Sequence, residues 1–198
     1  MRADLDRIRA WIKPNSRVLD LGCGDGTLLA NLQKNLDIKG YGIERDDAKI
    51  APCIAKGLNV IQADLNDGLA QYFDDHSFDY VVMSLTLQAT RRPDRMVIEM
   101  LRVGQEAIVT FPNHGFWRNR YQLALQGVMP VTRSMPHDWY DTPNTHLCTL
   151  RDFELFCKNQ DIHILQREVV NNEHEQSRLM NYFPNVFGEI AIYHISKD

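Results

Sequence analysis

The sequence contains few cysteines, no long apolar run and little excess of either charge. Its four cysteines, at positions 23, 53, 148 and 157, form no C-x-x-C pair, so the sequence predicts neither a zinc site nor a disulfide framework. No apolar stretch approaches the roughly 18 residues that a transmembrane helix needs. The first residues, MRADLDRIRAW, alternate charged and apolar groups, unlike a secretion signal. We therefore expect a cytoplasmic protein with reduced thiols.

Internal repeats, low-complexity tracts and Pro/Gly/Ser-rich linkers are also missing, which predicts a single domain over residues 1–198. Apolar residues make up 44% of the chain and charged residues 24%, as is typical of globular proteins. The net charge of −4 argues against nucleic-acid binding, yet residues 91–133 carry seven arginines and only three acidic residues. This asymmetry predicts one positively charged region.

Short β-branched runs alternate with helical patterns along the chain. Strands are predicted at 17–21, 39–44, 59–63, 78–85 and 106–111, and helices at 4–12, 27–35, 46–56 and 93–103. Two more strands, 162–170 and 188–196, suggest an antiparallel finish, although residues 176–181 could form a short helix between them. The pattern predicts an α/β fold with a doubly wound, seven-stranded, mostly parallel sheet and an antiparallel C-terminal strand.

A stretch of 38 residues, Pro112 to Thr149, interrupts this alternation. Long segments of this kind often serve as lids or binding loops, so we expect a lid-like insertion at about 112–149. Trp117 and Tyr121 are four residues apart, and we interpret them as the apolar side of a short helix. A helix to Lys158 is predicted after the insertion, starting at the Thr149-Leu150-Arg151-Asp152 capping pattern.

The segment VLDLGCGDG carries the clearest functional signal. Gly22, Gly24 and Gly26 lie between a predicted strand and a predicted helix, where a glycine loop lets the backbone approach a ligand closely. A dinucleotide-binding loop, G-x-G-x-x-G/A, would need a small residue in place of Thr27. The Asp20 carboxylate would also repel a pyrophosphate. The loop therefore favours a cofactor with positive charge over NAD.

This segment resembles motif I of the class I S-adenosylmethionine (SAM) methyltransferases, D/E-x-G-x-G-x-G, which have a Rossmann-like fold. The resemblance implies SAM or S-adenosylhomocysteine as the cofactor. Glu44 ends the second strand, where an acid can accept hydrogen bonds from ribose hydroxyls in both NAD and SAM folds. Asp64 follows the third strand, where the family binds the adenine amino group. Taken singly, either acid could be a solvated residue or a helix cap.

Three acids at successive strand ends favour a cofactor site over these separate structural roles. The expected cofactor-binding residues are Asp20, Gly22, Cys23, Gly24, Gly26, Glu44, Asp64, Leu65 and Ser84. No catalytic residue is assigned, because methyl transfer depends mainly on alignment of the two reactants. The Asn/Asp-Pro-Pro-aromatic signature of amino-methylating nucleic-acid enzymes is absent after the fourth strand, which reads SLTLQAT. We expect neither nucleic acid nor a membrane as a partner.

Over nearly its whole length the chain resembles the methionine-biosynthesis protein MetW family. The resemblance rests on VLDLGCGDG, YGIE, QADLNDGL and FDYVVMSLTLQAT, and most distinctively on VTFPNHGFWRNRYQLALQGVMPVT. It implies a bacterial, cytoplasmic protein with the SAM-methyltransferase fold that acts with and supports homoserine O-acetyltransferase. The family pattern of the SAM pocket is matched at all six positions, which are Asp20, Gly22, Gly24, Gly26, Glu44 and Asp64.

Two functions remain open at this point. In the first, the chain binds SAM or S-adenosylhomocysteine and regulates a partner enzyme. In the second, it is a methyltransferase whose small anionic acceptor is held by arginines at 91, 92 and 95, with His114 or Tyr140 taking the proton. A third possible function, that of an oxidoreductase, is less favoured. The partner role is preferred mainly because the family resemblance implies it. It is also favoured because a single short helix precedes the glycine loop, so that either residues 112–149 or another protein would cover the cleft.

Overall fold

The computed structural model describes residues 3–171 and 177–197. Seven strands form one sheet: β1 (Arg17–Leu21), β2 (Lys39–Glu44), β3 (Asn59–Gln62), β4 (Phe78–Ser84), β5 (Gly104–Pro112), β6 (His163–Val170) and β7 (Ile190–Ser196). The helices are α1 (Ala3–Trp11), α2 (Thr27–Leu36), α3 (Asp47–Ala55), α4 (Pro93–Val103), α5 (Trp117–Tyr121), α6 (Leu150–Asn159), α7 (Arg178–Tyr182) and α8 (Pro184–Phe187). Two 3-10 turns, Leu65–Asp67 and Leu87–Ala89, and a π-helical turn, Gln122–Gln126, complete the described elements.

The sheet has the strand order β3-β2-β1-β4-β5-β7-β6. The five strands from β1 to β5 pair in parallel, whereas β7 runs antiparallel to both β5 and β6. The predicted mostly parallel sheet with an antiparallel C-terminal strand is thereby confirmed. The short helix considered at 176–181 corresponds to α7, and Gln176 itself lies outside the described residues.

Both faces of the sheet are covered by helices. Successive side chains of a strand point to opposite faces, and the central strands carry apolar side chains on both. On one face, Leu19 and Met83 belong to a core that includes Val97 of α4 and Phe153 of α6. On the other face, Val18 packs in a core with the buried residues of α1, α2 and α3. The sheet therefore forms a central layer between helices, and the ends of its strands remain available for a site.

The insertion after β5 contains little regular structure apart from α5 and the π-helical turn. The short helix predicted from Trp117 and Tyr121 is present, but their side chains are 42% and 49% exposed. The i,i+4 spacing places two side chains on one face of a helix without requiring that anything cover that face. Among the described residues, no helix is long and apolar enough to cross a membrane.

Candidate cofactor site

The predicted site residues come together at the carboxyl ends of the parallel strands. Leu21 at the end of β1 pairs with Ile43, and Glu44 at the end of β2 pairs with Gln62 near the end of β3. Since parallel strands all end at the same edge, the glycine loop and the strand-end acids become neighbours. In open α/β sheets, ligands bind in the crevice outside this edge.

Two adjoining cavities lie at this edge and share Gly22 as a lining residue. The first, of about 220 Å³, is lined by Gly22, Glu44, Asp64 and Leu65 among others. The second, of about 260 Å³, is lined by Gly22 together with Asp20, Cys23, Gly24 and Ser84. Eight of the nine predicted cofactor-binding residues therefore line one cavity or the other.

Gly26 lines neither cavity, and its role in the structure is packing. It has φ +74°, and a Cβ built there would lie 2.3 Å from Leu58 Cδ1 and 3.0 Å from Cys53 Sγ. Gly24 has φ +57°, but a Cβ built there meets nothing within 4 Å. Gly26 is therefore constrained by the protein's own packing, whereas Gly24 lies beside open space.

Glu44 ties the end of β2 to the glycine loop. Its Oε2 accepts a hydrogen bond from the Gly24 N–H at 2.9 Å, and its Oε1 accepts from the N–H groups of Arg45 and Asp46 at 2.8 and 3.0 Å. The side chain is buried. A carboxylate has about four acceptor positions, so a ligand hydroxyl can still be accommodated. The buried side chain thus offers its remaining acceptor position to a ligand hydroxyl beside the loop.

Asp64 caps a turn and also lines the first cavity. It caps the 3-10 turn Leu65–Asp67, since its Oδ1 accepts from the Asn66 N–H at 2.9 Å and from Asn66 Nδ2 at 2.7 Å. These bonds, the backbone bond first, lower the pKa of Asp64. Its Oδ2 lies 3.7 Å from an Arg45 Nη1. The carboxylate is thus held ionised at the mouth of the first cavity.

Negative charge also surrounds the second cavity. Burial raises the pKa of the Cys23 thiol strongly, and the carboxylates of Asp20 and Glu44 raise it further. Burial disfavours either charged form, but the two carboxylates favour a cationic group there over an anion. The glycine loop therefore suits the positively charged half of a cofactor and opposes a pyrophosphate.

Sequence reasoning missed several residues that line the cavities. Leu5 of α1 lines the second cavity, so the first helix contributes to its cover. Thr86 lines the first cavity, and its side chain lies so close to the loop that a Cβ on Gly22 would be 2.8 Å from it. Thr86 lies in the segment SLTLQAT at the end of the fourth strand, but Leu5 carried no local signal, because only tertiary packing brings α1 to the loop.

The residues considered for methyl transfer line neither cavity, but Arg91 lies beside the first one, since its N–H donates to Oδ1 of the lining residue Asn66 at 2.8 Å. His114 is half-buried, burial lowers its pKa, and it lines neither cofactor cavity. Tyr140 is exposed and donates to Asp138 Oδ2 at 3.2 Å, and the Asp138 charge raises its pKa. Arg92 is engaged by Asp94 through bonds of 2.6 and 3.0 Å. The structure does not bring His114, Tyr140 or Arg92 to the two cavities.

A resident metal has no support in the described part of the chain. There, no group of three or more His, Cys, Asp or Glu side chains is arranged to hold a metal ion. The cysteines at 23, 53, 148 and 157 are free thiols, and burial raises the pKa of all four.

Solved structures of the same fold come from several organisms. A SAM-dependent methyltransferase from Mesorhizobium loti superposes with a TM-score of 0.70 at 17% identity, covering 98% of both chains. Another from Archaeoglobus fulgidus gives 0.69 at 18% identity, covering 99% of this chain and 92% of that one. At such identities the comparison shows the fold, which is that of the class I SAM methyltransferases.

Sequence comparison is more specific. The bifunctional methionine biosynthesis protein MetXA/MetW of Rhodopirellula baltica is 35% identical over 161 residues, which is 77% of this chain and 26% of that protein. The chain thus spans about a quarter of the length of this relative. A family profile described as methionine biosynthesis protein MetW matches residues 2–195. The chain therefore belongs to the MetW family of methionine biosynthesis proteins.

Proposed function

We propose that the chain binds SAM or S-adenosylhomocysteine and, in the bacterial cytoplasm, acts with and supports homoserine O-acetyltransferase. The observation that carries the cofactor assignment is the pair of cavities that share Gly22 as a lining residue. Glu44 and Asp64 line the first cavity, and Asp20 lines the second. A nucleoside with an attached, positively charged amino acid requires this combination of a diol acceptor and a cation site.

Each half of the cofactor has a proposed set of residues. Glu44 accepts the ribose hydroxyls, and Asp64 with Leu65 holds the adenine in the first cavity. Asp20, the Gly22–Gly24 backbone and Ser84 surround the amino-acid half in the second. When bound, SAM supplies an activated methyl group, whereas S-adenosylhomocysteine supplies none. Either cofactor can bias the state of a partner if it binds that state with a different affinity.

The partner assignment is supported by the family resemblance and by the relative's name. That name joins MetXA and MetW in one protein, of which this chain corresponds to only 26%. We infer that the remaining part represents the partner, homoserine O-acetyltransferase. When one chain of a relative carries both units, each unit is held near the other at a high effective concentration, which favours a complex between them.

Methyl transfer to a small anionic acceptor is the alternative function. The intact cofactor site supports it as well as it supports regulation. The engaged Arg92 and the positions of His114 and Tyr140 outside the cavities give it less support. Accumulation of S-adenosylhomocysteine with a defined acceptor, at a rate that depends on the chain, would establish this alternative.

Calorimetric titration tests the cofactor assignment. SAM, S-adenosylhomocysteine and NAD are titrated separately into the purified chain, with and without the acetyltransferase. We expect the two SAM-related ligands to bind and NAD to give no heat of binding. Binding of NAD alone would overturn the assignment. A separate assay of acetyl transfer, with and without the chain, tests the supporting role, and an unchanged rate at saturating chain would contradict it.

A further inference from the structure

The segment from residue 117 to residue 133, hereafter the docking segment, exposes large apolar side chains. It comprises α5, the π-helical turn and the loop that follows. Its exposed apolar residues include Trp117, Tyr121, Leu123, Leu125, Val128 and Met129. Single exposed apolar side chains are ordinary, but such a run within one segment marks an interaction surface.

The docking segment is held in place by hydrogen bonds to its own backbone and to the body of the protein. The Gln122 side chain accepts from the Val131 N–H at 2.8 Å and donates to the Val131 carbonyl at 3.1 Å, which closes the loop between them. Asn119, which is buried, donates from Nδ2 to the Asn113 carbonyl at 3.0 Å. A surface that is already ordered loses less entropy on binding.

The charge of the docking segment is of one sign. No aspartate or glutamate occurs between residues 107 and 137, whereas arginines stand at 118, 120 and 133. The Arg118 guanidinium lies 5.4 Å from the centre of the Trp117 ring, so positive charge and apolar surface are adjacent. Such a surface fits a partner with an apolar centre and an acidic rim.

A second copy of the chain is a poor occupant. A two-fold contact through the same face would bring Arg118 and the Trp117 surface of one copy against the same groups of the other. Like charges across an interface are unfavourable. The charge at Arg118 therefore favours a different protein over a second copy.

We propose that the docking segment binds an acidic-rimmed apolar surface of homoserine O-acetyltransferase; this inference rests on the function proposed above. The relative that joins MetXA and MetW in one protein places the two units within reach of each other. The segment begins five residues after the end of β5, on the same edge of the sheet as the glycine loop. The cofactor cavities lie at this same edge of the sheet, so a partner docked on the segment and SAM can affect each other's binding.

A matched pair of substitutions tests this surface. Leu123 in the docking segment and Leu155 in α6 are both 56% exposed. Leu123→Asp should weaken binding of the purified acetyltransferase by about 30-fold, because a charge replaces an apolar contact. Leu155→Asp should leave that affinity within about twofold of the unsubstituted chain. Both variants should bind SAM and unfold in urea as the unsubstituted chain does.

Each outcome bears on a different part of the argument. If the unsubstituted chain does not bind the acetyltransferase, both the proposed function and the docking surface are overturned. If the chain binds and Leu123→Asp binds equally well, only the docking surface is overturned. If Leu123→Asp instead abolishes self-association in sedimentation, a second copy is the occupant and the proposed partner is wrong for this face. Weaker binding of the unsubstituted chain at higher salt supports the acidic rim.

Discussion

The glycine loop offers a test that separates ligand binding from protein packing. Gly24 and Gly26 both have positive φ, and replacing either by alanine costs about 1–2 kcal/mol of backbone strain. At Gly24 the new methyl group meets no neighbour, and reduced freedom of the unfolded chain returns about 0.4–1 kcal/mol. The free energy of unfolding of Gly24→Ala should therefore fall by only about 1 kcal/mol.

Gly26→Ala should behave differently. Its Cβ would lie 2.3 Å from Leu58 Cδ1 and 3.0 Å from Cys53 Sγ, both of which are buried. Overpacking adds about 1–3 kcal/mol to the net loss of about 1 kcal/mol that both variants share, for a total of about 2–4 kcal/mol. Urea unfolding of the two variants measures this difference. Equal stability of Gly26→Ala and the unsubstituted chain would refute the packing role of Gly26.

The same variants should rank in the opposite order for the direct effect on the cofactor. Gly24 lines the second cavity, so a methyl group there opposes close approach of SAM to the backbone. We expect Gly24→Ala to weaken SAM binding by at least about tenfold, measured by calorimetry at a temperature where the variant is fully folded. Unchanged SAM affinity in folded Gly24→Ala would show that the cofactor does not contact this part of the loop.

Three further predictions concern single side chains. Glu44→Gln should weaken SAM binding by at least about tenfold and lower the free energy of unfolding by about 1–3 kcal/mol, because an amide cannot accept from all three backbone N–H groups. Calorimetry measures the first effect and urea unfolding the second, and values equal to those of the unsubstituted chain in both assays would contradict this role of Glu44. Thr149→Ala should lower the free energy of unfolding by about 1 kcal/mol through loss of the capping box at α6, whereas Thr149→Ser should retain most of it; an equal loss in both variants would argue against the cap. The Arg92 guanidinium lowers the pKa of Asp94 to about 2, so this carboxylate stabilises the folded state above its unfolded pKa, and that contribution is lost as the pH falls from about 4 to about 2. Asp94→Asn should make the acid side of the stability curve slightly shallower, and an unchanged curve in thermal unfolding across this range would argue against the ion pair.

Much of the architecture follows from local sequence pattern. The bounds of β1 and β2 agree with their predicted ranges: the glycine loop follows β1 directly, and an acid ends β2 just before the capping residue of α3. Acids that follow parallel strands must meet at one edge, so the composition of the site was also predictable. The antiparallel direction of β7 was expected, but its place between β5 and β6 depends on long-range pairing that no local pattern encodes.

The contacts within the site were not predictable in the same way. The bond from the Gly24 N–H to Glu44 joins residues twenty positions apart and depends on the path of the loop. The contribution of Leu5 depends on how α1 packs against the sheet. The exposure of Trp117 depends on what lies opposite a helix face, which periodicity does not specify. Sequence pattern thus predicts which groups share an edge, while tertiary packing determines their bonds and cover.

Reciprocal linkage between SAM and homoserine O-acetyltransferase would show that the cofactor site and the partner surface act together. Thermodynamic linkage requires that a partner whose affinity depends on SAM must change the affinity for SAM by the same factor. The measurement is a calorimetric titration of SAM into the chain alone and into the chain saturated with the acetyltransferase. We expect the SAM dissociation constant to differ by about fivefold or more between the two titrations. Equal dissociation constants in the two titrations would contradict this linkage.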